Sequence, residues 1–270
     1  MTTVNDKNIH VWNAWVPIHV RSDFYAMDEF KKNPDSLKAL DKQLLGDLQG
    51  KEVLHLQCHF GQDTLSLAHA GAHVTGVDYS PEAIKTATAL SAELNIPANF
   101  VCQDVLALQL DQKFDIIYTS YGVINWLSDL NQWAQVIRRH LKEDGRLVMV
   151  EFHPFLNILD DEFTGIGYDY CHQGGAIAFK DQKSYVNSPD DHGLYTTYEY
   201  LHALSDVSNA LTHAGIIFEM AEYPYSNYNC FPNLYEVTEG SGTYRHPWNI
   251  PMMFSIVGHL IGNCSTPPPQ

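Results

Sequence analysis

Basic residues are scarce in this 270-residue chain: 16 Lys and Arg face 32 Asp and Glu, a formal net charge of −16. A surface of that sign repels phosphate backbones, which argues against nucleic acid as a partner. Cysteine is sparse and unpatterned. Cys58, Cys102, Cys171, Cys230 and Cys264 form no C-x-x-C pair, which argues against both a structural zinc site and a disulfide framework. No stretch approaches the roughly 20 apolar residues that a membrane span requires. The opening MTTVNDKNIH has no basic segment leading into an apolar run, so no signal peptide is read. The expectation is a cytoplasmic protein with neither a membrane nor a nucleic-acid partner. The sequence leaves its oligomeric state open. Fourteen histidines are present, yet no pair joins a carboxylate at ligand spacing on one element, and no metal is expected. Glycine is missing where a dinucleotide site needs it. The first strand-to-helix turn, Q-C-H-F-G-Q-D-T, holds one glycine against the three of G-x-G-x-x-G, so a nicotinamide dehydrogenase is disfavoured.

What is present is a globular composition, 45% hydrophobic and 12% aromatic, with short apolar runs alternating with amphipathic segments. EVLHLQ (Glu52–Gln57), HVTGVD (His73–Asp78), NFVCQD (Asn99–Asp104), FDIIYTS (Phe114–Ser120) and RLVMVEF (Arg146–Phe152) are the expected strands. A turn is expected at Glu143–Gly145. Helices are expected over Asp63–Ala70, after the Ser80-Pro81 cap, and along the Leu130, Trp133, Ala134, Ile137, Leu141 stripe. Strands separated by helices pair in parallel, which predicts an α/β doubly wound, mostly parallel sheet.

Around residues 51–152, residues 1–50 are expected to form an N-terminal helical cap, with Leu37, Leu40, Leu44 and Leu48 on one helix face. Residues 153–197, rich in Gly, Tyr, His and Asp, are read as an inserted lid. Residues 198–264 complete the same domain: a helix over Tyr198–Ala214, then strands IIFEMAEY (Ile216–Tyr223) and MMFSIVGH (Met252–His259). With no helical pattern between them, these two imply an antiparallel last strand. The tail, residues 265–270, is expected to fray.

Ligands of open α/β sheets bind beyond the carboxyl ends of the strands. The residues there are Gln57–Gly61 running into a helix, Asp78, Asp104, Ser120–Gly122 and Glu151. An acidic residue some 20 positions after the first turn is placed to accept from ribose hydroxyls, and Asp78 follows Gly61 at about that distance.

VLHLQCHFGQDTLSLA (Val53–Ala68), GAHVTGVDYSPEAI (Gly71–Ile84), FVCQDV (Phe100–Val105), FDIIYTSYGVINWLSDL (Phe114–Leu130) and LKEDGRLVMVEFHP (Leu141–Pro154) together resemble a class I S-adenosylmethionine-dependent methyltransferase. They resemble in particular a bacterial branch with an LQCHFGxDT first motif, and SDFYAMDEF (Ser22–Phe30) resembles that branch's N-terminal segment. The common first motif, D/E-x-G-x-G-x-G, is replaced here by His55, Gln57, His59 and Gly61. The resemblance implies a Rossmann-like fold and S-adenosylmethionine as cofactor, with S-adenosylhomocysteine as product. It also implies a set of binding roles. Gln57, Cys58, His59 and Gly61 would hold the methionine part and Asp78 the ribose, with Tyr79 lying on the adenine. Asp104 and Val105 would meet the adenine edge, Ser120 and Tyr121 would close the methionine side, and Tyr25 would cover it.

Methyl transfer from a sulfonium is an in-line displacement that needs alignment and water exclusion, and a base only for a protonated nucleophile. Glu151 and His153 are the candidates to position or deprotonate a small-molecule acceptor, with Trp126 beside them as a pocket wall or cation-binding face. Trp12, Trp15, His19 and Tyr25 suit an N-terminal flap. Tyr168, Tyr170, His172, Tyr185 and Tyr195 suit an acceptor pocket. Each of these has an ordinary packing role as its alternative. A protein that binds the cofactor for regulation or interaction, without transfer, is the competing function. A protein methyltransferase is a third.

Overall fold

The computed structural model describes residues 4–171, 175–186, 188–189 and 191–262. The sheet begins with β1 (Glu52–Leu56), β2 (His73–Asp78), β3 (Asn99–Cys102), β4 (Phe114–Ser120) and β5 (Leu141–Phe152). It is completed by β8 (Ile216–Tyr223) and β11 (Met253–Leu260), in the order β3-β2-β1-β4-β5-β11-β8. The first five strands pair in parallel, whereas β11 runs antiparallel to both β5 and β8, so the antiparallel finish is found, inserted between its neighbours. Helices α4 (Gln62–His69) and α5 (Pro81–Leu94) make the first crossovers. Chain order reverses between β1 and β4, which opens a crevice at their carboxyl ends.

The central strands are buried on both faces: Val53, Leu54, Leu56, Ile117, Leu147 and Val150 are fully enclosed, as parallel strands covered by helices require. On one face, α6 (Leu130–His140) lays Trp133, Ala134 and Ile137 into the main core. It starts at Asp129, whose carboxylate accepts from the Gln132 N–H, and its last turn carries Arg138 and Arg139, which complement the helix dipole. The expected turn at 143–145 lies inside β5, where the register jumps from Phe114 opposite Leu141 to Ile116 opposite Arg146. The residues between are a bulge, because Gly145 packs on the Phe114 carbonyl where a Cβ would come within 2.8 Å.

Three helices precede the sheet: α1 (Val4–Arg21), α2 (Met27–Lys32) and α3 (Ala39–Leu45). The leucine stripe is shorter than its pattern. Leu37 and Leu48 lie beyond the ends of α3 yet are buried with it. α1 has no counterpart in that stripe. It contains Pro17 and several poor helix formers, so tertiary bonds hold it: the Asn8 amide bonds the Tyr198 backbone twice, at 2.7 and 3.0 Å, and Asn13 Oδ1 accepts from Ser80 Oγ at 2.6 Å.

After β5, the described residues between 153 and 199 include a 3-10 turn and the hairpin of β6 (Ile177–Gln182) with β7 (Tyr195–Glu199). The helix expected from Tyr198 begins only at Leu204, as α7 (Leu204–His213). Y-T-T-Y-E, made largely of β-branched and aromatic residues, lies in β7 instead, where it pairs with β6 and packs on α1. A second small hairpin, β9 (Tyr235–Glu236) with β10 (Tyr244–Arg245), lies between β8 and β11. Cys264 and the 265–270 tail fall outside the described residues, among which no helix is long and apolar enough to cross a membrane.

The first turn of α3 buries Asp41, 1% exposed, where it accepts from the Lys38 N–H and the Tyr121 hydroxyl. Burial, with the Asp63 charge nearby, pushes its carboxyl up to about 7. A carboxyl raised above its unfolded value of about 3.9 supports folding in full below that value and loses the contribution as pH rises through the folded one. Asp41→Asn should therefore gain on the parent protein between about pH 4 and 7 in urea unfolding. A stability difference independent of pH across that window would show that Asp41 remains ionised.

Candidate functional site

A cavity of about 830 Å³ opens at the carboxyl ends of β1, β2 and β4, roomy for a small-molecule site. Its floor is the loop after β1, where Gln57, His59 and Gly61 all take left-handed backbone angles, with φ of 54°, 50° and 81°. These are the three positions that are glycines in the common first motif. The glycine-loop conformation is thus kept with two side chains in place, at roughly 1–2 kcal/mol of local strain each. The side chains offset that strain. Gln57 Nε2 donates to the Val123 carbonyl at 2.9 Å, tying this loop to the one after β4. His59 Nε2 lies 2.7 Å from His19 Nδ1, whose other nitrogen meets Ser184 Oγ at 2.6 Å. At Gly61 the glycine is obligatory, since a Cβ would stand 2.8 Å from Ala87 Cβ and from the Phe100 ring. Burial holds His55 and His19 down at about 3 and lowers His59 as well, so these imidazoles are neutral. His55, in the motif's usual acidic position, meets Thr64 Oγ1 at 2.8 Å.

Asp78 ends β2 beside this loop. Its carboxylate accepts from the His59 N–H at 2.8 Å and the Ser80 N–H at 2.9 Å. Burial pushes the carboxyl up, while the N–H groups of Ser80, His59 and Tyr79 pull it back. Tyr79, Gln103, Asp104 and Val105 continue the wall, and Asp104 caps a 3-10 turn through the Leu106 N–H. Cys58 lines the cavity with its thiol turned toward Gly76, where a Cβ would come within 2.9 Å of Sγ. Only its backbone suits a ligand, and burial raises the thiol well above its usual range.

Across the crevice, Ser120, Tyr121 and Trp126 line the cavity. Glu151 reaches it from β5, 1% exposed, with both oxygens occupied. Oε1 accepts from the N–H groups of Gly122 and Phe152, and Oε2 from Val123 at 2.7 Å and Ile124 at 3.2 Å. Burial raises the carboxyl and these four donors lower it. Glu151 organises the loop after β4, and its lone pairs are already spoken for. His153 requires a correction. It is absent from the cavity wall, because it caps the following 3-10 turn, with Nδ1 accepting from Phe155 and Nε2 turned to Glu222 at 2.7 Å.

Of the proposed flap, Trp12 and Tyr25 line the cavity, whereas Trp15 and His19 pack behind them. The Tyr25 hydroxyl meets that of Tyr185 on the inserted segment. Among the insertion candidates, Tyr185 lines the cavity and the other described ones do not. Tyr195 packs on Trp15, Tyr168 bonds Asp161, and Tyr170 accepts from Leu204. His172 lies outside the described residues.

The sequence reading missed Asn8, Asn125, Asn157 and Glu199 on one wall, and Lys38, Asp63, Tyr228 and Phe231 on another. Asp63 is the aspartate of the LQCHFGxDT motif but carried no assigned role, and the others were not singled out. Glu199 lay in a stretch read as helix, and only the β-branched and aromatic residues of Y-T-T-Y-E could have placed it on a strand.

Known proteins resemble the chain over its first strands and in its fold. Residues 53–145 match the family model described as a methyltransferase domain. Malonyl-[acyl-carrier protein] O-methyltransferase from Bacillus anthracis is 30% identical over 135 residues, 49% of each chain. Demethylmenaquinone methyltransferase from Lactococcus lactis is 30% identical over 173 residues, 60% of this chain and 66% of the relative. The chain thus spans about half the length of the first curated relatives it matches. Among solved structures, the DhpI–SAH complex superposes with a TM-score of 0.57 at 15% identity, covering 95% of this chain and 97% of the other. An S-adenosylmethionine-dependent methyltransferase from Clostridium acetobutylicum gives 0.56 at 16% identity, covering 96% and 99%. The Rossmann-like fold is shared with these enzymes.

Glu151→Gln would point an amide NH₂ at backbone donors that now share a carboxylate. The expected loss is about 1–3 kcal/mol of unfolding free energy, read as a lower urea midpoint. An unchanged midpoint would show that the loop after β4 does not depend on Glu151.

Proposed function

We propose that the chain is an S-adenosylmethionine-dependent methyltransferase acting on a small-molecule acceptor. The observation that carries this reading is the loop after β1. It keeps the left-handed angles of the motif's three glycine positions and sits against Asp78 at the sheet's switch point. The methyltransferase-domain match over residues 53–145 supports it.

The residues present fit that cofactor. Gln57 Oε1 is buried and has no protein partner, an acceptor suited to an ammonium group. Asp78 is the acceptor for ribose hydroxyls and Asp104 for an adenine amino group, with Tyr79 along the ring. Ser120, Tyr121 and Tyr25 close the methionine side. The cofactor supplies an electrophilic methyl group on a sulfonium, and the protein's contribution is alignment and exclusion of water. α1 and the inserted segment do the excluding. They are joined over the cofactor loop through His59, His19 and Ser184.

The test is calorimetric titration with S-adenosylmethionine, S-adenosylhomocysteine and NAD. The first two should bind and NAD should not. Asp78→Ala should weaken cofactor binding by about 1–3 kcal/mol through lost charged hydrogen bonds. Failure of both sulfur compounds to bind would end the methyltransferase reading, and unchanged affinity in folded Asp78→Ala would remove the ribose assignment.

A further inference from the structure

Among the described residues, seven carboxylates line the cavity, Glu29, Asp35, Asp63, Asp78, Asp104, Glu151 and Glu199, against one ammonium, Lys38. Most of them are accounted for. Glu29 and Asp35 pair with Lys32 and Lys42. Asp63 accepts from Ser36 Oγ and is offset by the Lys38 charge. Asp78, Asp104 and Glu151 take backbone N–H groups. Glu199 differs. Its carboxylate meets neutral groups, Thr197 Oγ1 at 3.2 Å and the Asn125 side chain, and it has no ion pair among the described residues. Lys7 bonds the neighbouring Tyr198 hydroxyl instead.

The position of Glu199 is over-determined. The backbone of Tyr198 is clamped by the Asn8 amide, and the Tyr200 N–H donates to the Asn125 carbonyl at 2.7 Å. Both neighbours of Glu199 are therefore pinned, one to α1 and one to the loop after β4. The same two elements bring in Trp12 and Trp126, whose rings meet edge to face at 5.1 Å and which both line the cavity. Asn125 and Asn157 pair their amides beside them. An uncompensated carboxylate in a wall of indole rings and neutral amides is a site for a cation, because the charge needs a counter-ion and indole faces attract one.

We propose that the acceptor is an amine that enters as its ammonium form, held by Glu199 beside the paired rings of Trp12 and Trp126. This rests on the methyltransferase reading for the word acceptor, but the cation site stands on its own geometry. Anionic acceptors are disfavoured by the same charges. In transfer, the ammonium gives one proton to the Glu199 carboxylate and the freed nitrogen lone pair forms the new N–C bond. The electrons of the broken S–C bond stay on sulfur, and the product leaves as a methylated ammonium. Burial raises the Glu199 carboxyl, the direction that suits a proton acceptor.

The experiment is calorimetric titration of phenethylamine, 2-phenylethanol and 3-phenylpropanoate into the protein, with and without S-adenosylhomocysteine. The amine should bind at least about tenfold more tightly than the alcohol, the yield of one charged hydrogen bond or cation–π contact, and the carboxylate should bind least. Glu199→Gln should remove the preference while alcohol and S-adenosylhomocysteine affinities stay unchanged, and Glu199→Asp should restore part of it. Equal affinities, no amine binding at millimolar concentration, or a preference that survives Glu199→Gln would each overturn the proposal. Failure of S-adenosylhomocysteine to bind while the amine preference persists would sink the methyltransferase reading and leave the cation site standing.

Discussion

The cavity depends on one buried carboxylate. Glu151 stands at the end of a central strand and gathers the N–H groups of Gly122, Val123, Ile124 and Phe152. Three of those donors lead into the 3-10 turn Ile124–Trp126, whose first N–H groups have no partner within the turn, and burying them unpaired would cost several kcal/mol together. Once the loop is held, its Val123 carbonyl receives Gln57 and its Gly122 carbonyl receives the Trp126 indole N–H. Both walls of the crevice are therefore set from one point, and a residue that reads as a candidate base from its position acts as the anchor.

The loop after β1 shows how a motif can change its letters and keep its backbone. Glycine is usual there because it reaches positive φ without strain. Gln57 and His59 reach the same angles, and each is compensated by a side-chain bond that glycine cannot make. Those bonds also reach outward. The His59–His19–Ser184 chain joins the loop after β1 to α1 and to the inserted segment, so the elements covering the cavity are registered against its floor. With both imidazoles neutral and His19 and Ser184 buried, the connection is not a charge switch but a fixed seam.

Charge within the cavity narrows the chemistry further than the fold does. The fold is shared with enzymes of many acceptors and does not choose among them. The cavity sets carboxylates neutralised by lysines or backbone donors against Glu199, which meets neutral side chains among the described residues. That contrast arises from three segments distant in sequence: α1, the loop after β4 and β7.

The sheet was legible in the amino-acid order alone. Its apolar runs are short, one helix opens on the Ser80-Pro81 cap, and its crossover spacing forces parallel pairing, all of which are local or periodic signals. Position at strand ends likewise marked Gln57, Asp78, Asp104, Ser120 and Tyr121, because topology sends strand ends to the crevice whatever the side chains do. The remainder waited on long-range packing. α1 is a helix because Asn8 and Asn13 find partners about 190 and 67 residues away, which no local pattern records. His153 turned to Glu222 because β8 pairs beyond β11, and Glu199 reached the cavity because β7 is pinned on both sides by asparagines from other elements. Periodicity reports which face of an element is buried; it is silent on which distant group will satisfy a polar side chain, and that choice made the site.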